Sequence, residues 1–264
     1  MNWKPYSAPR KQPNINDMIY PKGEKGPGNV WVGGIVMNVQ KDGGTPTPTP
    51  TPIPVPTVEL VSSATSVASQ STYTFNSQSI GDGGGAICVA IISNGQGFRG
   101  LTTASIGGVT ANNYSQNAPG IGGINPTVGL LWLTVTGTST ANISFTFNGG
   151  MDGCKIYTYR LKNLNSDVPL ALGDAENSNQ TTITIGNGSQ PADSLGVMVG
   201  AVVDIAAPLP TLTFTNATVE HTYDSGYGTV GVVGTFDNTA AGTLTMSLNS
   251  NETTSMVALN LVYN

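Results

Sequence analysis

Few residues in this chain could do chemistry. His221 is its sole histidine. A Ser-His-Asp or Cys-His site would have to use it, and its surroundings, VEHTYDSG, resemble no nucleophile elbow. The expectation is a surface histidine at a strand end. One histidine and two distant cysteines give no metal-ligand spacing. Asp174 with Glu176, and Glu220 with Asp224, are the close carboxylate pairs. The first sits in GDAENSN, which reads as a loop able to offer calcium its Asn oxygens but lacks the EF-hand pattern, so solvated loop acids are expected. A glycosidase would need two carboxylates that meet in space, a matter that sequence leaves open. The Gly-rich runs GDGGGA and GIGGIN fit neither a P-loop nor a dinucleotide fingerprint. No catalytic residue, metal ligand or cofactor is therefore assigned, and the chain reads as a non-enzyme.

The elements that would have to position any site are strands. Among 264 residues, glycines number 34 and charged residues are only 9%, with Thr, Ser and Asn filling most polar positions. That composition belongs to an all-β protein with many tight turns. Cys88 and Cys154 both fall in apolar strand-like runs, AICVAII and GCKIYTY. Two buried thiols in a reducing compartment are expected, and two positions alone do not establish a disulfide.

Everything is arranged about Thr45–Thr57, TPTPTPTPIPVPT, with proline at every second position from Pro46 to Pro56. Each ring fixes φ, removes a donor and restricts its predecessor, so a polyproline II rod of about 40 Å is expected. Before it, residues 1–44 carry six cations and three acids, 6 − 3 = +3; after it, residues 58–264 carry four and twelve, 4 − 12 = −8. A basic arm on an acidic body suggests that the arm docks on a surface the body does not touch. The acidic body also argues against nucleic-acid binding.

The arm has prolines at 5, 9, 13, 21 and 27, which forbid a long helix. Trp3, Tyr6, Arg10, Ile15, Met18 and Tyr20 are nonetheless large groups of the kind that anchor an extended segment in a partner's pockets. Val30, Trp31 and Val32 open the most apolar stretch, VWVGGIVMNV, in which Gly33-Gly34 marks a bend. Two readings stand for it: a strand added to a partner's sheet edge, or one packed on the chain's own body. Fully extended, the arm would reach about 145 Å. It has Lys4, Pro5, Pro9 and Arg10 where the apolar core of a signal peptide would sit, and no run of eighteen apolar residues follows, so neither a leader nor a membrane span is expected.

From residue 58 onward strand follows strand, about a dozen in all. Some alternate, as in STYTFNS, NISFTFN and LTMSL; others are unbroken apolar runs, as in Ala86–Ile92, Thr127–Val135 and Leu195–Val203. Asn112–Pro126 reads as an exposed loop. The expected fold is one antiparallel two-sheet sandwich of jelly-roll type over 58–264, with 1–44 the arm and 45–57 the linker. Tyr114, Tyr223 and Tyr227 are the loop aromatics that could contact a ligand.

One stretch resembles a known family. STYTFNSQSIGDGGGAICVAIIS, SIGGVTAN and GLLWLTVTGTSTANISFTFNGGMDGCKIYTYRLKNL are similar to a β-domain that recurs in virion proteins of tailed bacteriophages. The matching pieces are Tyr73–Phe75, Cys88–Ile92, Ile106–Val109, Leu130–Val135, Gly137–Phe147 and Cys154–Leu164. The resemblance covers 70–164 well and the rest of the body loosely; VEHTYDSGYG stands where the family has a Trp-containing segment. It implies a structural or adhesive module without catalytic residues: a capsid decoration or head-fibre protein on the outer surface of the particle, assembled in the host cytoplasm. Its arm would hold the major capsid protein or another virion subunit, and its body would be displayed for weak contact with a host surface glycan. A homo-oligomer is compatible with this, and no membrane insertion is implied. The alternative is a tail-fibre or adhesin module whose main task is binding host carbohydrate.

Overall fold

The computed structural model describes residues 28–32, 35–39 and 54–263, except 121, 138, 191, 204–209, 226–227, 239–241 and 250–253. The chain divides into two compact units, residues 1–54 and 55–264. Of the first, the described part is a hairpin of β1 (Gly28–Val32) and β2 (Ile35–Val39), with Val32 opposite Ile35 and Gly28 opposite Val39. The apolar stretch is thus two short strands paired with each other.

Among the described residues the second unit holds seventeen strands and no helix. The first group is β3 (Thr57–Ser66), β4 (Gln70–Ser79), β5 (Gly85–Gln96), β6 (Leu101–Ile106), β7 (Val109–Thr110), β8 (Asn112–Asn117), β9 (Ile124–Val135), β10 (Thr140–Met151) and β11 (Gly153–Lys162). The second is β12 (Ala171–Gln180), β13 (Thr182–Gln190), β14 (Ser194–Val203), β15 (Thr211–Thr215), β16 (Thr218–Asp224), β17 (Thr229–Asn238), β18 (Gly242–Asn249) and β19 (Thr254–Tyr263). All pairings are antiparallel.

The expected single sandwich is instead two in succession. The first faces the sheet β3-β11-β5-β9-β8 with the sheet β4-β10-β6-β7; the second faces β12-β19-β14-β17-β16 with β13-β18-β15. The second order reproduces the first, β12 standing for β3, β19 for β11, β14 for β5, β17 for β9, β16 for β8, and β13-β18-β15 for β4-β10-β6. Only two-residue β7 lacks a counterpart among the described residues. The chain repeats one topology.

Three cores hold the four sheets together. Tyr73, Phe75, Ile143, Phe145 and Phe147 of the first outer sheet pack on Ile87, Val89, Ile91 and Ile156. Cys88, Ala90, Ile92, Leu130, Tyr157 and Tyr159 on the other face of that inner sheet meet Val197, Val199, Val257, Leu259 and Leu261. Met198, Val202, Val232 and Met256 then meet Leu212, Leu244, Met246 and Leu248 of the second outer sheet. The two inner sheets are therefore covered on both faces. This explains the unbroken runs: β14 is buried at every position, whereas outer β18 alternates. Strand β19, which closes the chain, lies between β12 and β14 in an inner sheet.

Cys88 and Cys154 are free and buried, and they face different cores on opposite sides of one sheet. They are not a pair.

Candidate functional site

The strands of the first sandwich run between two ends. At the near end, where the chain enters the body through β3, the Asn163 side-chain amide donates to the carbonyl of Val55 (3.0 Å). Fully buried Arg160 reaches under the turn joining β4 to β5 and donates to the carbonyl of Gly83. Burial lowers the proton affinity of its guanidinium, while the charges of Asp167 and Asp82 act against that. Nearby, Trp132, Asn112, Asp167, Val168, Leu170 and Leu172 line an open groove of about 470 Å³ on the connection between the sandwiches.

The far end lies one strand length away, about 40 Å for a twelve-residue strand such as β5. Here the loops leaving β3, β5 and β10 come together with the chain that enters β9. Asparagine side chains pin them. Asn117 Oδ1 accepts from the Arg99 amide (3.1 Å) and the Thr127 hydroxyl (2.6 Å), Asn148 Oδ1 from the Gly100 amide (3.2 Å), and Asn125 Oδ1 from the Gly120 amide (3.0 Å). Backbone donors in loops otherwise need water, so these bonds hold the loop shapes in advance of any partner. On this frame stands Phe98, 60% exposed, and the β3–β4 turn at the same end carries Val67, 78% exposed.

The chain matches no family model, no curated protein and no solved structure. Its site must be read from its own geometry.

Among the candidate anchors, Trp3, Tyr6, Arg10, Ile15, Met18 and Tyr20 lie outside the described residues, and Val30, Trp31 and Val32 form part of β1. Tyr227 also lies outside them. Tyr114 and Tyr223 are not loop aromatics. Asn112–Asn117 is strand β8 rather than a loop, and Tyr223 is on β16; both rings are half-buried and pack on the core between the sandwiches. The Tyr114 hydroxyl donates to Asp174 (2.8 Å), and that bond is the largest cause of its raised pKa. Gln116 donates to Glu176 (2.8 Å). Asp174 and Glu176 are therefore not loop acids: they lie two apart on β12, on one face, and tie the second sandwich to β8 of the first.

His221 is likewise not a strand-end surface residue. It sits within β16, half-buried, with its ring stacked on Tyr157 of the first sandwich at 5.2 Å and 15°. Edge strand β8 of the first sandwich thus bonds to β12 of the second, while β16, the counterpart of β8, packs on β11 of the first. Among the described residues no group of three His, Cys, Asp or Glu is close enough to hold a metal. Sequence reasoning missed Phe98 and the asparagine frame. Phe98 in GQGFRG is an aromatic between glycines, and that signal was available in the sequence.

Proposed function

We propose that this is a virion structural protein of a tailed bacteriophage, a capsid decoration or head-fibre protein whose arm anchors it and whose double sandwich is displayed. The observation that carries the reading is the polarity of the body. The chain enters at one end from a proline-rod sequence, and pinned, Gly/Asn-rich loops with exposed Phe98 stand at the other, together with the β3–β4 turn that exposes Val67. A rod holds a body off a surface, and many copies on one particle turn weak contacts into retention. Each sandwich is read as a jelly roll on its strand order, in which the first, last and third long strands neighbour one another in one sheet. The family resemblance of residues 70–164 falls within the first sandwich. The exposed aromatic at the far end favours one second reading, an adhesin module that binds host carbohydrate.

Co-sedimentation of residues 1–264 and 55–264 with purified heads and, separately, tails of the encoding phage tests this. The proposal expects only the full chain to pellet, and with heads. If the body alone pellets with tails or host cells and the arm adds nothing, the anchor reading is wrong.

A further inference from the structure

The far end carries a chemistry that display alone does not require. Residues 58–264 have a net charge of 4 − 12 = −8. Three of their four cations are engaged: Arg160 is buried under the Gly83 turn, Lys162 pairs with Glu59 at 3.2 Å, and the Lys155 ammonium lies 5.4 Å over the Tyr157 ring. The fourth, Arg99, is half-buried and forms no ion pair among the described residues.

The Arg99 side chain packs on a glycine, and its backbone is held. A Cβ on Gly149 would lie 2.6 Å from its Cζ and Nε and 2.7 Å from Nη1, so the guanidinium lies against the bare backbone near the end of β10. Its own amide is held by Asn117 and the next by Asn148. Phe98, adjacent in sequence, is exposed although the loop around it is held in place. An exposed aromatic ring and a cation outside any ion pair, on neighbouring residues of one held loop, fit a ligand with an apolar face and a carboxylate.

We propose that the Phe98–Arg99 loop is a binding site for an acidic saccharide, with the sugar face on the Phe98 ring and the carboxylate on Arg99. This rests on the display reading, which puts the far end toward the host. The site is shallow, so single contacts are weak and the many copies on a particle supply the strength.

The test is affinity electrophoresis of the full chain through gels containing hyaluronan, a polymer with a carboxylate on alternate sugars, or uncharged dextran. Wild type is expected to be retarded by hyaluronan more than by dextran. Phe98→Ala should weaken hyaluronan retardation about tenfold, the effect of losing one buried aromatic anchor. Arg99→Gln should lower it to the dextran level. Gly149→Ala, which displaces the guanidinium while meeting only a flexible side chain, should mimic Arg99→Gln with an unchanged unfolding midpoint. Substituting Lys4, Arg10 and Lys11 with Gln should leave retardation intact, because the basic arm is not the site. Wild type that passes hyaluronan unretarded, or Phe98→Ala and Arg99→Gln variants that behave as wild type, would overturn the proposal. Co-sedimentation separates the two readings. Variants that lose hyaluronan yet pellet with heads support both, whereas a full chain that binds hyaluronan but does not pellet with heads keeps the site and removes the display.

Discussion

If the two sandwiches pack through their inner sheets, Gly231 and Ile92 compete for one space. Gly231 lies on β17, and a Cβ there would come 2.6 Å from Ile92 Cγ2 and 2.7 Å from Cδ1. Ile92 is fully buried on β5 in the other sandwich. Gly231→Ala overpacks this seam, which costs about 1–3 kcal/mol. The loss of freedom in the unfolded chain returns about 0.4–1 kcal/mol, so the net cost should be about 1–2 kcal/mol, taking both ranges together. Ile92→Ala opens a cavity and should cost about 2–5 kcal/mol. In the double variant the new methyl group enters the space that Ile92 has left. The overpacking vanishes, and the pair should be no less stable than Ile92→Ala alone.

The interaction energy is then about 1–2 kcal/mol in favour of the double variant, beyond the roughly 0.5 kcal/mol within which distant sites add. Urea unfolding of the four proteins measures it, provided the m-value is unchanged. Thermal midpoints should follow at roughly 2–4 °C per kcal/mol for a body of this size. Additive costs would refute the face-to-face packing of the sandwiches, because two residues that do not share a space have no reason to couple.

Three further outcomes are expected. Gly85 has φ +120°, and a Cβ there would fall on the backbone carbonyl of Leu161, whereas Gly83 at φ +89° faces open space. Gly83→Ala should cost about 1–2 kcal/mol from strain alone and Gly85→Ala clearly more; equal urea midpoints for the two variants would contradict this. Burial pushes the Tyr157 phenol up to about 12 and raises Tyr73, Tyr159 and Tyr263 as well. Between about pH 10 and 12 the unfolded chain gives up phenolic protons that the folded chain keeps, so stability falls as pH rises through that window and gains nothing from these groups below it. The check is the thermal midpoint as a function of pH, read beside phenolate absorbance; a midpoint that holds steady while all the phenols ionise would contradict the burial. Cys88 and Cys154 are both fully buried, and burial raises both thiols, so a thiol reagent should find none in the native protein and two after denaturation. A disulfide in the non-reduced protein would be the contrary result.

Much of the architecture was legible because strand patterns are local. Tyr73 and Phe75, or Ile143, Phe145 and Phe147, alternate with Thr, Ser and Asn since one side of an outer sheet meets water and the other a core. The number of layers was also written in the sequence, though less plainly. Ala86–Ile92 and Leu195–Val203 do not alternate, and in an antiparallel sheet that happens when both faces are covered. Two such runs about a hundred residues apart were the signal for two inner sheets, yet each run alone is equally compatible with the middle of one sandwich.

What the sequence by itself determined is the all-β class, the separation of the cation-rich residues 1–44 from the acid-rich residues 58–264, and the two kinds of long strand, alternating and unbroken. Each of these follows from composition, side-chain period or charge, all of which are legible over a few residues; the proline-rich run 45–53 lies outside the described residues. Only the tertiary structure decided that the strands close into two sandwiches of one topology, that Tyr114 reaches Asp174 and His221 reaches Tyr157 across the seam, that Cys88 and Cys154 face different cores, and that Arg99 lies on Gly149. The three contacts among these join residues from about 50 to 64 positions apart. At such separations it is the pairing and stacking of whole sheets, not any local preference, that selects which side chains meet.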